Sequence, residues 1–205
     1  MHRTIALLGL ALGLAALVLH LIATLMAGDA ATGLVAFVTS FAVIANIFAA
    51  LVYAGLLFEG GVFALFRNKT VQGLAASAMA FSMLFYHLVA AGEAEGVALI
   101  ANVALNYVAP TLFIAYWMVY LADGSLRLRH AAVWVLFAGL YAGWVLLLGA
   151  LTGAYAYEVL DVAADGWGAV AVNYLTFLAA FVMLSVFAIG FDTEKKPATD
   201  PAPQH

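Results

Sequence analysis

The sequence predicts an all-α protein: a six-helix transmembrane bundle with both termini in the cytoplasm. Three observations carry that expectation. Of 205 residues, 67% are hydrophobic and 9% charged, with a mean hydropathy of +1.10; a soluble domain carries about 25% charged residues. Six apolar stretches, at about 5–27, 33–57, 71–91, 97–122, 131–152 and 167–190, approach the roughly 20 residues a helix needs to cross a bilayer. All seven Lys and Arg fall in alternate connections: Arg3 before span one, Arg67 and Lys69 after span two, Arg127 and Arg129 after span four, Lys195 and Lys196 after span six. The other connections hold Asp29, Glu93, Glu95, Glu158, Asp161 and Asp165 and no cation, so the positive-inside rule places both termini inside.

Spanning as helices follows because each backbone polar group in hydrocarbon must be satisfied within its own segment. A β-barrel would show short alternating segments instead. Span one begins after Arg3 and ends at Met26-Ala27-Gly28; its apolar run of about 22 residues exceeds the 7–15 of a signal peptide, so a retained helix is expected. Gly9 and Gly13 in span one, Gly139 and Gly143 in span five, and Gly149 with Gly153 have the small-xxx-small spacing of closely approaching helices, within the chain or toward a partner subunit. Trp117, Trp134 and Trp167 suit aromatic belts, and Tyr155 with Tyr157 suits an interfacial anchor. Residues 1–191 are expected to form one six-span domain, and the charged, Pro-rich segment 192–205 a disordered cytoplasmic tail.

Span four is the informative one. It carries no formal charge, yet Asn102, Asn106 and Pro110 recur every four residues and share one helix face. Proline has no N–H, so the Asn106 carbonyl loses its helical donor and needs another. Depth along the helices places His20, Thr39, Ser40, His87, Asn102 and Asn173 in the outer half, with Asn46 and Asn106 nearer the midplane. This predicts an outer-half polar pocket built from spans two, three and four, with Asn46, His87, Asn102, Asn106 and Asn173 as ligand-binding candidates. Each also reads as interhelical hydrogen-bond glue; His20 reads first as a packed or snorkelling side chain.

Several chemistries are excluded or weakened. There are no cysteines, so no thiol nucleophile and no disulfide. HExxH and GxSxG are absent and no acidic cluster lies within a span, so no metal site or serine-hydrolase elbow is expected. The spans lack central ionisable groups other than histidine, against a proton-coupled pump. No basic face indicates nucleic acid.

FAVIAN at Phe41–Asn46, LFRNKTV at Leu65–Val71, FYHLV at Phe85–Val89 and NYVAP at Asn106–Pro110 form an ordered set of landmarks. Tyr116–Trp117, Trp134, Tyr141, YAYEVLDV at Tyr155–Val162, Gly166 and Asn173 continue it. In order and spacing across residues 5 to 191 the chain resembles the bacterial predicted six-pass membrane proteins. It is more distantly similar to the androgen-induced membrane hydrolases, which cleave fatty acid esters of hydroxy fatty acids with a threonine and a histidine. At the positions that resemblance makes catalytic, this chain has Ala42 and Asn106, and Tyr116 stands where an aspartate is usual. Alanine offers no nucleophile and an amide no base. The resemblance therefore implies the fold without the hydrolase pair. The expected function is binding of a membrane lipid or small amphiphile, or service as an accessory subunit, in the inner membrane and without a cofactor. One alternative is a lipid-ester hydrolase using Thr39 and His87; a second is haem binding through His20 and His87.

Overall fold

The computed structural model describes residues 2–153 and 155–195. Among these there is no strand. Helix α1 runs His2–Met26, α2 Ala30–Thr39 and α3 Phe41–Leu57. A short 3-10 segment, Val62–Arg67, leads into α4, Lys69–Phe85, which ends in a π turn, Tyr86–Ala90. Next come α5, Gly96–Val103, a π turn Ala104–Val108, α6, Ala109–Tyr116, and a third π turn Trp117–Leu121. Helices α7, Arg129–Thr152, and α8, Val162–Glu194, complete the chain. Five continuous helices, 2–26, 69–89, 96–121, 129–152 and 162–194, are long and apolar enough to cross a membrane; α2 and α3 reach that length and apolarity only together, across a bend of 62°.

Helix α4 is the central rod. Its most apolar stretch is 61% buried, against 17% for α1, α7 and α8. The run Leu74-Ala75-Ala76-Ser77-Ala78 is small enough to admit neighbours on every side. Gly73 serves the same end: a Cβ there would lie 2.8 Å from both Leu126 and Trp134. Trp134 is consequently a core residue, its Nε1 donating to the Thr70 carbonyl at 3.0 Å, and Trp117 is buried too. Of the three tryptophans expected at aromatic belts, Trp167 alone is exposed, at 69%.

The basic end of the bundle has a structural basis beyond topology. Arg3 donates to the Leu57 carbonyl, Arg67 to those of Gly55 and Phe58, and Lys69 to that of Leu121, all at 2.8–3.1 Å. These are helix C-terminal carbonyls without intrahelical donors, where cations are favoured. The last helix extends to Glu194, past the boundary expected at 191, and buries Asp192. The remainder of the expected tail, 196–205, lies outside the described residues.

One member of each of two glycine pairs makes room for an aromatic ring, Gly9 doing so where α1 meets α3. Gly9 accommodates the Tyr53 ring and Gly149 the Tyr155 ring, while Gly13 and Gly143 meet nothing within 4 Å. Gly153, at φ 73°, closes α7 in the left-handed conformation. Gly166, at φ 77° and ψ 163°, interrupts α8, so the apolar rod starts at 167 as the sequence suggests.

Candidate functional site

A cavity of about 420 Å³ opens at the acidic end of the bundle. Two irregularities hold it open. The first is the break between α2 and α3. Ser40 is extended, at φ −66° and ψ 123°, and the Thr39 hydroxyl bonds back to the Val35 carbonyl at 2.6 Å. The main-chain groups this exposes are taken up by aromatic side chains. Tyr157 Oη accepts from the Phe41 N–H at 3.0 Å, Tyr141 Oη donates to the Thr39 carbonyl at 2.8 Å, and Trp144 Nε1 donates to the Val38 carbonyl at 3.0 Å. Tyr157 therefore points inward as a support for the break; burial raises its phenol above the ordinary tyrosine range.

The second irregularity is the π turn at 104–108. Its extra residue sends the Ala109 N–H to the Ala104 carbonyl, five residues back. The Leu105 carbonyl loses that donor, and residue 110, the next in π register, is proline. Asn46 Nδ2 fills the gap, donating to Leu105 at 3.0 Å and to its own helix at Ala42, 2.8 Å. The side-chain donor expected near Pro110 is thus present, but it serves Leu105, one residue before Asn106.

Three spans each present a polar pair four residues apart to this cavity: His20 and Thr24 from α1, Ser82 and Tyr86 from α4, Asn102 and Asn106 from span four. An i, i+4 spacing puts both members on one helix face. Ser40, Phe41 and Ala42 line it at the break, Phe85 and Val89 along α4, and Tyr157 with Glu158 from the loop before α8. Asn106 is 2% exposed and donates through Nδ2 to the Asn102 carbonyl at 3.1 Å. Ser82 Oγ and His20 Nδ1 are buried and have no hydrogen-bond partner among the described residues. No lysine or arginine lines the cavity, and its acidic member, Glu158, is exposed.

The expected site residues divide. Asn102 and Asn106 line the cavity. Asn46 lies one turn deeper than Ala42, 1% exposed, as interhelical glue. Asn173 donates to the Val159 carbonyl at 2.8 Å and fastens the 156–159 segment that walls the cavity. His87 is exposed, its Nδ1 3.0 Å from Tyr107 Oη, and does not line the cavity. The Thr39 hydroxyl is spent on its own helix, and no hydrogen bond joins it to His87. The two histidines likewise do not share the cavity: His20 lines it and His87 does not. Among the described residues no group of three or more His, Asp or Glu could hold a metal ion.

Ser82 and Thr24 were not among the expected residues. The signal that would have found them is the four-residue spacing from Tyr86 and from His20 in otherwise apolar helices. Comparison with family models, with curated proteins and with solved structures finds no match to this chain.

Proposed function

We propose that this is a multi-pass inner-membrane protein, termini in the cytoplasm, that binds a lipid or small amphiphile in the cavity at its acidic end without hydrolysing it. The orientation rests on the basic end: six of the seven Lys and Arg are described there, Lys196 lying outside the described residues. The function rests on one observation, the convergence of three polar pairs on a cavity where Ser82 Oγ and His20 Nδ1 stand unpartnered. Buried polar atoms are normally satisfied, and a few such groups in an apolar cavity are what orients a ligand. The resemblance is consistent with this reading. Ala42 and Asn106, at the positions where the similar hydrolases carry threonine and histidine, both line this cavity.

The test is mass spectrometry of the protein extracted in a mild detergent, beside Ala42→Phe, which fills the cavity. The wild type is expected to retain an amphiphile near one per chain and the variant about tenfold less. Equal retention by both, or none by either, would overturn the proposal.

A further inference from the structure

We infer that the ligand is an amphiphile with an uncharged, hydroxyl-bearing headgroup, an acylglycerol rather than an ionic lipid, and that its chain leaves the cavity through an aromatic slot between α4, α7 and α8. The inference rests on the amphiphile reading above and adds the ligand's chemical class.

The headgroup follows from what lines the cavity. The deep groups are the Ser82 hydroxyl, the His20 imidazole and the Asn106 amide, which offer hydrogen-bond donors and acceptors without a fixed charge. An anion seated there would lose water and meet no cation. The described lysines and arginines cap carbonyls or stand at the opposite end of the bundle. The acidic end instead carries Asp29, Glu93, Glu95, Glu158, Asp161 and Asp165, which repel an approaching anion. A cation would meet Glu158 only at the exposed mouth and would be desolvated among neutral groups below it. A glycerol-like headgroup needs donors and acceptors without a countercharge, and a small turn of the two lining side chains would let it pair with Ser82 Oγ and His20 Nδ1, which are among the buried atoms without a protein partner among the described residues.

The chain's path would run through the wall the polar cavity shares with a second one, whose edge-packed rings would have to swing apart to admit it. Phe41, Phe85 and Tyr157 line the polar cavity and also a second, apolar one of about 40 Å³. Room on that scale holds a few methylene groups. The second cavity continues along Tyr141 and Ala142 of α7 and Phe177 and Phe181 of α8. Its rings are edge-packed, Phe85 against Tyr157 and against Phe177, each with centroids 4.8 Å apart. Helices α7 and α8 are among the least buried of the bundle, so a chain passing between them runs directly into surrounding hydrocarbon.

The experiment measures binding of three probes with one C18 chain to the delipidated full chain in detergent: 1-oleoylglycerol, oleyl sulfate and oleyltrimethylammonium. Octanoylglycerol is the short-chain control. The expected result is at least tenfold tighter binding of 1-oleoylglycerol than of either ionic probe, weakened about fivefold or more by Ser82→Ala and by His20→Leu. Ala142→Trp, at a partly exposed position on the slot, is expected to weaken 1-oleoylglycerol and leave octanoylglycerol unchanged. If an ionic probe binds as tightly as the glycerol ester, the headgroup inference fails while the amphiphile reading stands. Glycerol-ester binding indifferent to Ser82→Ala and His20→Leu also overturns the headgroup assignment, and equal effects of Ala142→Trp on both chain lengths overturn the slot. If no probe binds, both readings fail together.

Discussion

Replacing Asn46 with leucine is expected to lower the stability of the bundle by about 2 kcal/mol, the scale for stranding a buried polar group. The two side chains are close in size, so the cost is in hydrogen bonding and not in a new void. In the native chain Asn46, 1% exposed, gives one amide hydrogen each to the Leu105 and Ala42 carbonyls. Ala42 stays within a continuing helix, but Leu105 has no other donor in register because of the π turn and Pro110. Within the bundle there is little water to replace the amide. Unfolding by sodium dodecyl sulfate titration in mixed micelles measures the loss. Pro110→Ala restores an N–H in π register with Leu105, so in that background Asn46→Leu should cost about 1 kcal/mol less, a coupling of the size contacting residues show. A midpoint unchanged by Asn46→Leu would contradict the assigned role.

Asp192→Ala should cost more, about 3 kcal/mol, because hydrogen bonds to a charged acceptor each contribute roughly 1.5–3 kcal/mol. The carboxylate at the end of α8 accepts from the Asp123 N–H at 2.9 Å and the Leu126 N–H at 2.8 Å. It thereby gathers the non-helical 122–128 segment and seats Leu126 over Gly73 beside Trp134. Asp192→Asn keeps one acceptor and should lose about half as much. The same titration applies, with limited proteolysis reading the 122–128 segment directly. Cleavage and midpoint both unchanged in Asp192→Ala would refute the staple.

The spans were legible because apolar length is a strong signal, and their predicted limits fall within a few residues of the observed helices. The α2–α3 break was not. No proline or glycine marks Ser40; the break is held by Tyr141, Trp144 and Tyr157, each more than 100 residues away in sequence. A local pattern cannot carry such a contact. For the same reason the depth of Thr39 points to a site residue, although its hydroxyl turns back on α2. Asn102 and Asn106 were legible because a repeat every four residues defines a face without reference to other helices. The loss of the donor to the Leu105 carbonyl is not legible, because a π turn adds a residue without a sequence mark. Trp117 and Trp134 are buried; tryptophan at a span end suits a belt and a core equally, and at Trp134 the space beside Gly73 decides for the core.

The claim on which the account depends is that three polar pairs enclose a reachable cavity at the acidic end. The chain has no cysteine, so Ala42→Cys, on the cavity wall, supplies its sole thiol. Ala45→Cys, fully buried in the adjoining core, is the matched control. The decisive measurement is the rate at which a small water-soluble methanethiosulfonate modifies each. Rapid modification of the first, slowed by bound 1-oleoylglycerol, and none of the second are expected. Equal inertness of both thiols would mean that no reachable cavity exists.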